Sequence, residues 1–473
     1  MQRHLTALGD THDPVTSLAS QIDFHPTAPQ QEALTQLMRW IDGEQDSRRI
    51  TDPDLAAVFQ DNPNDYFVLQ GFAGTGKTYL VSYLLTVLHD LTYNVAVAAP
   101  TNKAVSVLND KVSEFTNGAL LRAEFASIHS FVGLRMTEGE DGEYRVVSSG
   151  YGRLNNFHFA IVDECSMVDR FALLREIQAQ RGYCRIIFVG DPAQLPPVGE
   201  AREALVFGLP HTYQLTEITR QAAGNPLILA SMKIREKIAA GERVEASDLA
   251  NWLPDAMIKG TKNMVARAVE LQRSGKDARI LAYRNKTVVS YNELIHYELY
   301  PDAKDLFSAG ERVVIQNSSP SLDLGTGTTR ELRTSEELTV VSIRSERHEK
   351  YSDTSAWAVV LRDDLGNELL VYVPKAMSHF GSKASKLFAE ASEYKRTNHP
   401  DYKDQLAKAW AFKKAFCDIR HTYASTVHKS QGSTYDIALI DLGDIQGMQS
   451  VFEMNRSLYV AMTRPRETCS IAY

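Results

Sequence analysis

Gly71, Gly76, Lys77 and Thr78 stand in the stretch GFAGTGKT at the spacing G-x-x-x-x-G-K-T, and that spacing suits the holding of phosphate. Glycines let the successive backbone N–H groups of Ala73, Gly74, Thr75 and Gly76 turn inward around an anion, and a following helix adds the positive end of its dipole. Lys77 brings a mobile point charge to the outer phosphates, and Thr78 offers a hydroxyl to Mg²⁺. A glycine-rich turn without a ligand is the bland alternative, but it leaves the Lys-Thr pair and the flanking apolar segments unexplained. The expected ligand is a nucleoside triphosphate.

Splitting such a ligand requires a metal carboxylate, a base or water-orienting group, and positive charge for the developing negative oxygens. The stretch IVDECSM supplies the first two. Asp163, ending an apolar run, is placed to hold Mg²⁺ through water, and Glu164 beside it can take the attacking water's proton. Adjacent residues at a strand end point their side chains differently, as two roles require. In VGDPAQLPPVG, Gln194 could set an amide against the terminal phosphate. Arg220 in LTEITRQ and Arg464 in LYVAMTRPR each follow an apolar segment where a guanidinium could reach phosphate oxygens.

These residues need elements to hold them. Tyr66 to Gln70, Asn94 to Ala99, FHFAIVDE and CRIIFVGD read as buried strands, with helices after the phosphate loop and after Thr101. Strands alternating with helices predict a parallel sheet whose ligand lies beyond the strands' carboxyl ends. Asp141-Gly142 between two short strand candidates predicts an inserted hairpin over 132–156. A second βα series begins near Ala278, is interrupted by short alternating strands such as ELTVVSIRSE, and returns with YDIALIDLG. Residues 1–27 are polar and patternless, and read as a loosely packed arm.

At 473 residues the chain is too long for one core, and a prior of about 150 residues per domain predicts several. The absence of an apolar run of ~18 residues argues against a membrane span, and four scattered cysteines with no C-x-x-C pair indicate neither zinc nor a disulfide framework. A soluble, cytoplasmic protein is expected, in the host cytoplasm if the source is a phage. The net charge of −8 argues against coating nucleic acid by bulk attraction, but leaves room for a local groove.

The order GFAGTGKT, APTNKA, SIHSF, VDECSM, GDPAQLPPV, LTEITRQ, TVHKSQGSTYD, YVAMTRPR resembles the motif series of superfamily one helicases, in particular their Dda-like and RecD-like 5′-3′ members. The resemblance runs from Gln30 to Tyr473 and implies an α/β fold of two RecA-like parallel-sheet motor domains with ATP between them. It places the first at 28–204 and the second at 205–315 and 418–473, with a small β-barrel and helical outcrop inserted at 316–417. The hairpin resembles the duplex-splitting pin of these enzymes, with a surface hairpin as the alternative. Gln30 would read the adenine, Gln431 and Gly432 would line the nucleotide site, Gln194 would sense the γ-phosphate, and Arg220 with Arg464 would reach it on cleft closure. Pro100, Thr101, Asn102, Lys103, Ser127, His129, Thr426, His428 and Lys429 would track the strand, largely with hydroxyls, amides and backbone groups that need no large net charge. His129 and His428 could equally be structural. The implied activity is ATP- and Mg²⁺-dependent DNA unwinding by a monomer on single-stranded and tailed duplex DNA, in replication or recombination beside single-strand-binding or replication proteins.

One departure stands out: many members carry Glu after Gln-Gly-x, where this chain has Thr434, so the acid-to-ribose contact does not carry over. The basic and aromatic stretch around Lys403, Lys408, Trp410, Phe412, Lys413 and Lys414 reads either as a base-stacking surface or as an amphipathic helix with snorkelling lysines that braces the hairpin. Other functions remain open at this level: an RNA helicase, a protein-stripping translocase, a phosphate-loop kinase, or a nucleotide-gated binding module without turnover.

Overall fold

Short runs of β-branched and aromatic residues, apolar on both faces, can be buried only in a sheet covered on both sides. In a computed structural model, residues 17–44, 50, 52–59, 63–138, 144–148, 150–197, 199–218 and 224–473 are described. Strands β1 (Tyr66–Gly71), β2 (Val95–Ala99), β3 (Ala123–Ser127), β6 (Phe159–Val162), β7 (Arg185–Gly190) and β8 (Thr212–Leu215) form one sheet in the order β3-β2-β6-β7-β1-β8. All its pairings are parallel. Each face carries its own core, one around Phe131, Ile186 and Phe188, the other around Trp40, Leu84 and Ile187. The remaining strands β4 (Leu134–Glu138) and β5 (Tyr144–Ser148) make a separate antiparallel pair. Its expected Asp141-Gly142 turn lies outside the described residues.

The second sheet is also parallel, in the order β18-β10-β19-β20-β9: β9 (Met257–Ile258), β10 (Ala278–Ala282), β18 (Ala424–Thr426), β19 (Tyr435–Asp441) and β20 (Pro465–Ala472). Two parallel sheets with helices on their faces fit RecA-like motor domains. Between β10 and β18 the chain builds a seven-stranded antiparallel sheet from β11 (Arg312–Ile315), β12 (Ser319–Asp323), β13 (Thr329–Leu332), β14 (Glu337–Arg347), β15 (Ser355–Arg362), β16 (Glu368–Pro374) and β17 (Ile419–His421). Where the chain crosses between these two bodies, Glu311 accepts from His421 Nδ1 and lies 3.2 Å from His296 Nδ1. Burial alone would raise its pKa, but the two imidazoles hold it down to about 2.

Three expected boundaries shift. β8 pairs with β1, so the first sheet continues past residue 204. Its Thr-Tyr-Gln-Leu is a short edge strand without the continuous apolar run that marks the central ones. β11 and β17 pair with each other, so the insertion spans 312–421 rather than 316–417. The described part of the arm is docked: Ser17 Oγ donates to Asp90 Oδ2 (2.9 Å), and the Phe24 ring lies 5.0 Å from that of Tyr83. One aromatic residue anchors the segment, too little to register as a pattern.

The basic-aromatic stretch forms the end of the helix Met377–Arg396 and the helix Tyr402–Lys414, packed against each other. Phe412 is buried against Phe380, Trp410 packs edge-on to Phe388, and Lys383 lies over the Phe412 ring. The rings face protein, as in the amphipathic-helix reading.

Candidate functional site: the cleft between the two parallel sheets

The phosphate loop leaves β1 and enters the helix Lys77–Asp90 through Gly76, whose φ of 77° is open to glycine at little cost. Lys77 Nζ donates to Gly71 O (2.5 Å) and Phe72 O (3.1 Å), closing the loop on itself. Gln30 is buried beneath it. Its Nε2 donates to Thr75 O (3.1 Å) and its Oε1 accepts from Thr27 N (2.9 Å), so both ends of the amide expected to read adenine are engaged within the protein.

Asp163 follows β6, and its Oδ1 accepts from Glu164 N at 2.9 Å. Burial, then the adjacent Glu164 charge, pushes the Asp163 carboxyl up to about 6, with Lys77 pulling the other way. The phosphate-loop lysine and both acids therefore share one neighbourhood. Glu164 sits at φ 52°, a left-handed conformation costing a non-glycine residue about 1 kcal/mol, the kind of strain that clusters at functional sites. Thr78, at the start of the loop's helix, and Asp163 are the residues that would hold Mg²⁺.

Several buried polar atoms in this region have no partner among the described residues, Ser166 Oγ, Gln194 Oε1, Arg235 Nε, Ser433 Oγ and Arg456 Nε among them. Buried polar groups are normally paired, so an unmet acceptor and donor beside a phosphate loop fit a polar, anionic ligand.

The second sheet's body meets the loop directly. Tyr459, on the helix Val451–Met462, donates its hydroxyl to Asp191 Oδ2 (2.5 Å) and accepts from Ala73 N (3.2 Å). Gln431 Nε2 donates to Leu195 O (3.3 Å), and Arg456 reaches Glu203 (2.5 Å). A Cβ on Gly432, at φ 71°, would stand 2.9 Å from the Ala104 Cβ across the cleft. Arg464 is turned inward: Nε donates to Val460 O (3.1 Å), Nη1 to Ser433 O (3.3 Å) and Nη2 to Thr463 Oγ1 (3.0 Å). It is not brought to the phosphate loop, and Arg220 lies outside the described residues. Thr434 Oγ1 accepts from Arg466 Nη2 (3.0 Å).

Tyr459, Asp191 and Arg235 were not among the residues expected here. Tyr459 and Asp191 stand inside motifs already singled out, YVAMTRPR and GDPAQLPPV; Arg235 is one arginine on a helix, without a local signal.

The residues expected to track a strand stand at or just beyond the C-terminal ends of β2, β3 and β18. Thr101 and Ser127 are N-caps, accepting from Ala104 N (3.2 Å) and Ser130 N (3.3 Å); Asn102 opens the helix after Thr101, and Pro100 precedes it. Thr426 Oγ1 accepts from Lys429 N (3.3 Å). Burial lowers the pKa of His129, His428 and Lys429. Lys103, Thr426 and Lys429 line a cavity of about 180 Å³ together with Arg279, Gln316 and Glu337.

Both lysines are engaged by the insertion: Lys429 Nζ donates to Gln316 Oε1 (2.8 Å), and Lys103 Nζ pairs with Glu337 at 2.7 Å. Arg279, buried in the second sheet, holds the same carboxylate at 3.3 Å. Glu337 thus joins all three bodies. Burial would raise its pKa, but Arg279 and Lys103 hold it down to about 2. A lowered pKa contributes stability that is present above the unfolded value and fades as pH falls toward the folded one. Glu337→Gln, which leaves Arg279 buried without its acid, should destabilise by ~3 kcal/mol at pH 7. The thermal midpoint deficit should shrink as both proteins are taken from pH 5 toward pH 2.5; a wild-type midpoint at pH 7 would show that the clasp contributes nothing.

The comparisons agree with this arrangement. Residues 54–254 match the family model of an AAA domain, and residues 421–472 match that of the UvrD-like helicase C-terminal domain. The chain is 24% identical over 445 residues to the ATP-dependent DNA helicase dda of Enterobacteria phage T4, covering 85% of this chain and 93% of that protein. An uncharacterised protein of Acanthamoeba polyphaga mimivirus is 23% identical over 500 residues, covering 89% and 98%. Among solved structures, the Pif1 helicase from Candida albicans aligns at a TM-score of 0.48 and 15% identity, over 90% of this chain and 94% of that one. With the motif series in one order, a phosphate loop on the first parallel sheet and a match to the UvrD-like helicase C-terminal domain on the second, the chain is similar to the superfamily one helicases, in particular to their Dda-like and RecD-like members.

Proposed function

We propose that the protein is an ATP-dependent DNA helicase that moves 5′ to 3′ along single-stranded DNA and separates duplex strands by coupling ATP hydrolysis to closure of the cleft. The observation that carries the reading is the Tyr459 hydroxyl, which ties the phosphate loop of one parallel sheet to a helix of the other. A nucleotide entering that loop has to alter how the two bodies meet.

Lys77 neutralises the outer phosphates, and Mg²⁺ held by Thr78 and Asp163 would offset their remaining charge. Glu164 accepts the proton of the attacking water and Gln194 orients it. Arg464, with Arg220, reaches the developing charge once the second body rotates, a contribution on the order of 10³ to 10⁵ in turnover for such arginines. The face carrying Lys103, Ser127, His129, Thr426 and Lys429 takes the strand, the β4-β5 hairpin acts as the wedge, and the antiparallel insertion with its helix pair is the small barrel that braces it. The 5′-3′ direction is supported by the RecD-like motif pattern.

The test uses duplexes carrying only a 5′ or only a 3′ single-stranded tail, with ATP turnover measured beside single-stranded DNA and RNA. The expected outcome is DNA-stimulated turnover and strand separation from the 5′ tail alone. Separation from the 3′ tail overturns the direction, RNA stimulation the polymer, and turnover without separation leaves a translocase.

A further inference from the structure

We infer that Arg235, from the second parallel-sheet body, is a further phosphate-contacting residue of the nucleotide site; the inference rests on the ATP-hydrolysing reading above. Its guanidinium carbon lies 3.4 Å from the centroid of the Phe72 ring, within the phosphate loop itself. Arg456, another arginine of this interface, also has a buried Nε without a partner, but its Nη2 is spent on Glu203. Arg235 makes no ion pair among the described residues, and its Nε is buried without an acceptor. A partly buried guanidinium resting on an aromatic face gains some cation–π energy, but that leaves its buried in-plane Nε donor unmet. Fork-like donors beside a glycine-rich loop suit a tetrahedral phosphate oxygen pair better than any neighbour now present.

The surroundings favour the same occupant. Arg235's charge acts on Tyr459, whose hydroxyl occupies the Ala73 N–H. That N–H belongs to the loop whose backbone donors cradle phosphate. One loop donor is thus held by a displaceable hydroxyl, beside a cation that makes no ion pair among the described residues. The donors of Arg464 meanwhile go to its own body, whereas Arg235, among the described residues, is already presented to the loop. A terminal phosphate would draw Arg235 off the Phe72 face. Because the residue comes from across the cleft, its contact reports the third phosphate and closure, whereas ADP binding rests on the loop alone.

Arg235→Ala and Arg235→Lys in the full chain test this. ATP turnover is measured at saturating single-stranded DNA, with affinities for ADP and for ADP plus beryllium fluoride, which mimics a third phosphate. Arg235→Ala should lower kcat about 100-fold and weaken the fluoride complex about tenfold, with ADP affinity within about twofold and an unchanged thermal midpoint. Arg235→Lys keeps the charge, guards against a folding defect, and should recover part of kcat. A kcat within about twofold of wild type, or equal weakening of ADP and of the fluoride complex, overturns the inference. A wild-type chain without DNA-stimulated turnover fails the helicase reading instead, and the two affinities still decide the place of Arg235.

Discussion

Glu164→Gln is expected to abolish nearly all DNA-stimulated ATP turnover, by about 10²- to 10⁴-fold, the range a positioned general base contributes, while nucleotide still binds. The amide keeps the shape of the side chain but cannot take a proton. The left-handed backbone at φ 52° is no worse for Gln than for Glu, so the change should be chemical and not structural. Asp163 must stay ionised to hold the metal. With its carboxyl pushed up to about 6 in the metal-free cleft, the Mg²⁺ concentration needed for half-maximal turnover should rise as pH drops through that region, whereas nucleotide affinity without Mg²⁺ should change less. Steady-state turnover and titration of a fluorescent ATP analogue separate the effects. Residual turnover within about tenfold of wild type would assign the base elsewhere.

Gly432→Val should be nearly as severe for a different reason. Any Cβ there meets the Ala104 Cβ at 2.9 Å, and a methyl at the start of a helix cannot rotate aside. The φ of 71° adds a backbone cost of about 1 to 2 kcal/mol for a side chain, more for a β-branched one. Because Gly432 and Ala104 lie on opposite bodies, the clash holds the cleft apart. DNA-stimulated turnover should fall about 10³-fold, as expected when an arginine across the cleft cannot reach its phosphate. ADP affinity, which depends on the loop of the first body, should be kept. Gly432→Ala should fall between, since its methyl meets the same contact with less bulk. Wild-type stimulated turnover in the valine variant would mean that this approach is incidental to the working cycle.

Much of the site is legible in the chain because it is local. A phosphate loop works through consecutive backbone N–H groups, and Asp163, the proposed metal acid, follows a buried strand directly, so a few adjacent residues carry both spacing and chemistry. The second parallel series is legible from apolar runs such as YDIALIDLG, since a strand buried on both faces cannot hide. Edge strands can: β8 falls on the wrong side of the expected boundary because a four-residue strand that buries only Leu215 leaves no period to read.

Only the folded chain decided which distant side chains meet. Asp191 and Tyr459 are 268 positions apart and share one hydroxyl; Lys103, Arg279 and Glu337 come from three bodies and share one carboxylate. Arg464 carries the right chemistry in its motif yet spends its donors on its own body, while Arg235, with no motif, lies over the phosphate loop. The physical reason is that a spacing rule encodes contacts made by neighbouring backbone, whereas a cleft is built by packing two separate sheets against each other. Which charge faces which loop depends on that docking, and a pattern within either half does not contain it.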